Sequence, residues 1–317
     1  MSFLEVVRPG VQSTIQDSGR RGCRHHGLAA GGALDLISYT WANKLLDNPR
    51  NAACLEIVMG GFHGIARGSL QIAITGAATC VTINGHPVEQ WQTLNLNDGE
   101  ELAIDHSKHH RLVYLAMAGG LDSPEQFGSR SVVVREKLEG LVPVKAGDRL
   151  IPLQPERQVP ERKVPDQHRP DLDGEAVIRL IPGYQYPQFQ RADIIRLITS
   201  RYTVGDQSDR MGFRLPGTPL SAPPPGIISE GIALGAVQIP GDGQPIVLLN
   251  DCQTIGGYPK PGVVPTMDCG LLAQQLPGAR VRFELCDLAT AQNQRRLFEL
   301  HYQNTRWCRS GRALEWL

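Results

Sequence analysis

A mainly β chain in two related domains, each a barrel or sandwich of short strands with few helices, is what the 317 residues predict. Three observations carry this. Gly (34) and Pro (23) are frequent enough to favour turns over long helices. Short apolar runs rich in β-branched residues recur between Gly and Asn, which argues for many short strands rather than alternating βαβ units. One loop pattern also occurs twice. Ser18–Gly27 (SGRRGCRHHG) and Ser208–Gly217 (SDRMGFRLPG) both fit S-x-R-x-G-x-R-x-x-G. So long a spacing is no solenoid period and points to two domains with one such loop each. A weaker echo sets Gly32-Ala33-Leu34-Asp35 against Gly235-Ala236-Val237-Gln238.

The length suffices for two sizeable cores, and 41% hydrophobic with 20% charged residues suits a soluble globular chain. Lys+Arg and Asp+Glu are both 32, so no basic excess supports nucleic-acid binding. No apolar run reaches the roughly 18 residues of a membrane span. The start, MSFLEVVRPG, lacks the basic and apolar regions of a signal peptide. The seven Cys (23, 54, 80, 252, 269, 286 and 308) include no C-x-x-C and read as reduced thiols of a cytoplasmic protein.

Taken in order, residues 3–8 form a first strand, broken at Pro9-Gly10. Apolar spacing over 35–47 predicts a helix with Asp35 as N-cap. From 53 to 104 the runs ACLEIVMGGF, SLQIAITGAA and CVTINGHPV predict strands, with Asn84-Gly85 as a hairpin turn. ELAIDH and LVYLAMAGG continue the series. Residues 153–175 carry several Pro, many charges and few apolar residues, the composition of an extended, solvated linker. The domains are therefore 1–152 and 176–287, with a helical, basic tail over 288–317.

The second domain opens with the strand AVIRLIPG. Residues 192–202 suit either a short helix or a strand. The residues 223–226 (PPPG) break the chain, and strands follow over GAVQIP, PIVLL and ARVRFELC.

Arg offers a planar fork of donors suited to carboxylate or phosphate. Two Arg/Gly loops facing each other would line an anion cleft with Arg20, Arg24, Arg210 and Arg214. The alternative is that each Arg pairs with a structural acid. Asn250, Asp251, Cys252, Gln253 and Thr254 follow the apolar run IVLL, where site residues often sit; an Asx or Thr turn satisfying its own backbone accounts for them equally. His25 and His26 read as solvated loop residues, and His106, His109 and His110 as an exposed turn, so no metal is expected. No P-loop, no G-x-G-x-x-G after a strand and no G-x-S-x-G is present. Ser18, Ser129 and Ser229 lack a visible His/Asp partner pattern.

Several stretches resemble the biotin-dependent carboxyltransferase family, which includes the C subunit of 5-oxoprolinase (KipA) and the second subunit of allophanate hydrolase and urea carboxylase systems. They include 8–27, GALDLISYTWANKLLDN (32–48), CLEIVMGG (54–61), FGSRS (127–131), SDRMGFRLPG (208–217), GAVQIPGDGQPIVLLNDCQTIGGYP (235–259) and QQLPGARVRF (274–283). The matches run through nearly the whole chain in family order. Departures are GLVPVKAGD where the family usually has a GR-x-L segment, VVV after FGSRS, and IPGYQYPQF in place of Pro-Gly-Pro.

The resemblance implies two cyclophilin-like β-barrels from an internal duplication. It implies one component of an ATP-dependent 5-oxoprolinase that opens 5-oxoproline to L-glutamate beside its KipI-like B subunit and its A subunit. The complex would use ATP, this chain having no nucleotide motif. One alternative is carboxyl transfer to urea or a related amide, with biotin carried by another protein and a biotin carboxylase as partner. Another is a non-catalytic regulator that binds a KipI-like inhibitor. On the family motifs, Asp17, Asp209 and Asp251 are candidates for proton transfer. Arg20, Arg24, Arg210 and Arg214 would hold the substrate's carboxylate, and Gln16, Gln238, Asn250, Gln253, Thr254 and Tyr258 would contact or orient the substrate.

Overall fold

The computed structural model describes residues 2–221, 228–305 and 307. The chain break at 223–226, Cys308 and the end of the basic tail lie outside the described residues. The chain is mainly β, with four α-helices among the described residues, as the sequence predicts. It divides into two compact units. The first comprises 1–20, 31–171 and 301–317, and the second 21–30 and 172–300.

The first unit contains β1 (Phe3–Pro9), β2 (Gln12–Gln16), α1 (Leu36–Leu45), β3 (Cys54–Val58), β4 (Phe62–Arg67), β5 (Leu70–Gly76), β6 (Val81–Ile83), β7 (His86–Val88), β8 (Thr93–Leu96), β9 (Glu101–Ile104), β10 (Leu112–Met117) and β11 (Arg149–Leu150). They form two antiparallel sheets, ordered β11-β1-β4-β9-β6-β7 and β2-β3-β10-β5-β8. Alternate residues of both sheets meet in one core: Leu4 and Val6 of β1, Leu55 and Ile57 of β3, Ile72 and Ile74 of β5, Leu102 and Ile104 of β9, Val113 and Leu115 of β10. This is the period of two that sends one set of side chains inward. The other face of β5 and β10 is buried too, under α1. Thr75 Oγ1 donates to Ser38 O (2.8 Å), and Tyr114 Oη accepts from Asp35 N (2.8 Å). That double burial explains why these two strands read as unbroken apolar runs. Asp35 caps α1 as expected, its carboxylate accepting from Ser38 N. Asn84 and Gly85 both take positive φ (50° and 76°), which is what a tight hairpin between β6 and β7 requires.

The Pro-rich stretch is not extended throughout: it turns at 153–156 and forms a 3₁₀ turn over Asp166–His168, and up to Asp171 it belongs to the first unit. It is strapped to β5 and β8, with most of its residues still exposed or half-buried. Val159 exchanges hydrogen bonds with the Gln71 side chain (2.8 and 2.9 Å), Thr93 N donates to Arg162 O (2.9 Å), and Val164 is fully buried. The amide side chain of Gln71 offers a donor and an acceptor together, so it can replace a strand partner for a segment whose prolines have few N–H groups to give.

The second unit holds β12 (Ala176–Pro182), α2 (Arg191–Thr199), β13 (Tyr202–Thr203), β14 (Gly212–Arg214), β15 (Glu230–Gly231), β16 (Ala236–Gln238), β17 (Ile246–Leu248), β18 (Ile255–Gly256), β19 (Gly262–Val263), α3 (Thr266–Ala273), β20 (Arg280–Leu285) and α4 (Leu288–Asn304), the last running to Leu300 within this unit. Seven strands make one sheet, ordered β13-β20-β12-β19-β16-β17-β14, in which β12 and β20 are parallel. β15 and β18 form a separate two-stranded ribbon. Of the two alternatives for residues 192–202, the helix is the one formed, as far as Thr199, and only Tyr202 enters a strand. α3, not anticipated from the sequence, is tied to β12 by Asp268, whose carboxylate accepts from Arg179 N (2.8 Å) and Arg179 Nε (2.7 Å).

The two copies of the Arg/Gly pattern take different backbones. The first makes a single 3₁₀ turn over Arg24–His26 closed by Gly27 at φ 82°. In the second, Gly212–Arg214 is β14 itself.

Candidate functional site

In the first unit, Gln16, Asp17 and Arg20 lie together where β2 runs out. Gln16 is fully buried, and its Nε2 donates to Val132 O (2.8 Å) and Thr14 Oγ1 (3.0 Å). Asp17 sits inside a ring of donors: Gly19 N (2.8 Å), Arg130 N (2.7 Å), Ser129 Oγ (2.6 Å) and Ser131 Oγ (2.5 Å). These occupy both carboxylate oxygens and draw the 129–131 segment against the loop. Arg20 is 3% exposed. Its Nη2 donates to Ser131 O (2.6 Å) and its Nη1 lies 3.7 Å from Glu136 Oε2. Asp17 therefore positions the carbonyl that holds Arg20. Ser129, which has no partner pattern in the sequence, is a member of this ring.

The remaining candidates belong to the second unit. Arg24 Nη2 donates to Ile232 O (2.7 Å) and Gln253 O (3.2 Å). Arg210 grips Asp251 bidentately, Nε to Oδ2 at 2.9 Å and Nη2 to Oδ1 at 3.0 Å. Asp251 N in turn donates to Arg210 O (3.0 Å). Such a fork is the stronger geometry for a guanidinium–carboxylate pair. Asp209 Oδ1 accepts from Met211 N (2.8 Å), closing its own turn from an exposed position. Arg214 is exposed on β14, and Tyr258 is 51% exposed. Asn250, Gln253 and Thr254 are half-buried, and Thr254 O accepts from Ile232 N (3.0 Å). Gln238 is 1% exposed at the end of β16. Arg24, Gln238, Gln253 and Thr254 thus gather around the β15–β18 ribbon, while Arg210, Asp251 and Asp209 form a group at the second Arg/Gly loop.

Sequence reasoning missed a cluster beside that ribbon. The Glu230 carboxylate collects the Tyr184 hydroxyl, the Lys260 ammonium and Gln185 Nε2 (3.0 Å). Gln185 Oε1 accepts from Lys260 N (2.7 Å). Lys260 directly follows the QTIGGYP stretch, which is the signal that could have drawn it in.

Two kinds of cofactor seat bear on the chemistry. Two helix N-termini hold a carboxylate on their amides, Asp35 on Ser38 N at α1 and Asp287 on Thr290 N at α4, and the first turns of α2 and α3 carry Asp193 and Asp268. Those positions do not suit phosphate, which needs the amides free and no negative neighbour. Among the described residues no three His, Cys, Asp or Glu side chains gather as metal ligands. The His25 and His26 rings lie 3.8 Å apart in the first loop; of the turn expected to be exposed, His106 and His109 are exposed but His110 is buried.

The family model "Carboxyltransferase domain, subdomain A and B" matches residues 26–285. The chain is 36% identical to the C subunit of 5-oxoprolinase from Escherichia coli, covering 95% of this chain and 100% of that protein. It is 32% identical to the C subunit of 5-oxoprolinase from Haemophilus influenzae, covering 96% and 98%. Among solved structures, the K. lactis urea amidolyase superposes with a TM-score of 0.88 at 25% identity, over 95% of this chain but 20% of that one.

Proposed function

Because the chain belongs to the family of carboxyltransferase domains with subdomains A and B, we propose that it is one component of a 5-oxoprolinase complex that opens 5-oxoproline to L-glutamate with ATP. The observation that carries this reading is the end-to-end correspondence with two proteins named as the C subunit of 5-oxoprolinase, at 36% and 32% identity. That name implies further subunits, and we take the partners to be the KipI-like B subunit and the A subunit.

The residues support a role in holding the lactam rather than the nucleotide. Opening the ring requires the amide carbonyl to be polarised or phosphorylated, and fixed donors stabilise the charge that builds on oxygen. The buried Gln238 amide is such a donor, whereas the guanidinium groups of Arg20, Arg24 and Arg210 already hold protein acceptors. The nucleotide would be held by a partner protein, since this chain carries no nucleotide motif. Of the candidate carboxylates, Asp209 is the exposed one and the better placed to exchange a proton with solvent. Asp17 and Asp251 brace their loops.

Carboxyl transfer to urea or a related amide is the second reading, favoured by the family description and by the urea amidolyase likeness. It would require biotin on another protein. The two readings separate on product: the chain assembled with its 5-oxoprolinase partners, ATP and 5-oxoproline should yield glutamate. Carboxylated urea from an assembly with a biotin carboxylase and carrier, with no glutamate from the first, would replace the proposal with the second reading.

A further inference from the structure

A buried amide N–H is almost always hydrogen-bonded, because leaving it unpaired forfeits its hydration without return. Gln238 departs from this. Its side chain is buried, and its Nε2 has no hydrogen-bond partner. What covers it is the ribbon. Gly256 pairs with Glu230 across the ribbon, and a Cβ at Gly256 would stand 3.0 Å from Gln238 Nε2 and 2.7 Å from Ile232 Cδ1. A side chain at Gly256 would collide with both, so bare ribbon backbone packs directly over the amide without giving it an acceptor.

A ribbon two residue pairs long does not hold itself in water. Side chains fasten it at both ends. At one end Arg24 bridges Ile232 O and Gln253 O, the two points where the strands enter and leave the ribbon. At the other end Glu230 is held by Tyr184, Gln185 and Lys260. Behind the ribbon, Ile232, Ala236, Leu248 and Cys252 pack as one apolar cluster. A single unpaired amide donor against an apolar wall suits a small molecule that presents one carbonyl oxygen. It does not suit a polyanion.

We propose that the β15–β18 ribbon covers a ligand site in which Gln238 Nε2 donates to the carbonyl oxygen of a small cyclic amide, with Arg24 and Glu230 as the catches that set how often the ribbon lifts. Naming the amide as 5-oxoproline rests on the 5-oxoprolinase reading; the site does not.

The test titrates the isolated full chain with 5-oxo-L-proline, 2-pyrrolidinone and L-proline by calorimetry, and follows the Gln238 side-chain amide resonance. The two lactams should bind and shift that resonance, whereas L-proline, which has no ring carbonyl, should not. Gln238→Met should weaken both lactams about tenfold, the value of one hydrogen bond, yet leave the melting temperature unchanged or higher, since the donor it removes is unpaired. Glu230→Gln should speed hydrogen exchange at Ile232 N, whose bond to Thr254 O closes the ribbon. Absence of lactam binding, equal binding by Gln238→Met, or a melting temperature several degrees lower in that variant would each overturn the site. Binding needs neither partners nor turnover. Lactam bound through Gln238 without glutamate from the complex would remove the proposed activity alone, and glutamate without Gln238-dependent binding would remove the site alone.

Discussion

Arg210 and Asp251 hold each other by two parallel hydrogen bonds with side chains only 10% and 6% exposed. Removing one member of such a pair strands the other charge out of water. Asp251→Ala should therefore cost about 3–5 kcal/mol in urea unfolding, while replacing both residues by well-packed apolar side chains should recover much of it. A near-unchanged unfolding midpoint for Asp251→Ala, together with lost activity, would make Asp251 a reacting group rather than a brace. The sequence flagged both residues but could not join them, because nothing local tells an arginine which acid it will meet 41 residues on. The same holds for Asp17. Its motif position was legible, whereas its ring of donors comes from Ser129, Arg130 and Ser131, more than a hundred residues away in the chain. Glu230 and Lys260 escaped notice for a related reason: each sits in an ordinary loop sequence, and only the fold brings them together.

At the scale of elements, strands with an apolar alternation or an unbroken apolar run were readable and the shortest ones were not. β1, β5, β10, β12 and β20 carry enough buried residues to announce themselves. The two-residue strands β15, β18 and β19 have no period to detect, and α3, eight residues with an internal Gly, resembles loop. Leu115, fully buried at the centre of β10, tests the first unit's core. Leu115→Ala should cost about 2–5 kcal/mol in chemical denaturation, and a cost below about 1 kcal/mol would mean that this core can collapse around the cavity. The end of α4 offers an element-scale prediction of pH dependence. From His301 onward it belongs to the first unit, where Trp41 of α1 stacks on His168 (5.8 Å between ring centroids) and meets Tyr302 (5.4 Å). Burial, then His301 and then Lys44, push the His168 pKa below its ordinary value. Asp47 and Arg162 are the other charged pair nearby. An imidazole whose folded value lies below its unfolded one takes up more protons when unfolded. Its contribution is thus intact above about pH 6.5 and weakens as pH falls below that. The Trp41 indole resonance should shift, and exchange at the end of α4 should accelerate, on acidification from about pH 7 to about pH 5. His168→Phe should flatten that response, and an identical profile in the variant would remove His168 as its source.

For the whole molecule, the chain belongs to the carboxyltransferase family and matches proteins named as the C subunit of 5-oxoprolinase along nearly its full length. The mainly β architecture was legible in the sequence. The exchange of segments between units was not: residues 21–30 join the second unit and residues 301–317 the first, and composition carries no sign of either. The proposed contribution to lactam opening links the residues, the ribbon and the family. It is tested by combining this protein with the two other 5-oxoprolinase proteins, ATP and 5-oxoproline, following glutamate release, and omitting each protein in turn. Glutamate should form only when this chain is present with both partners. Glutamate at an undiminished rate without it would contradict that role.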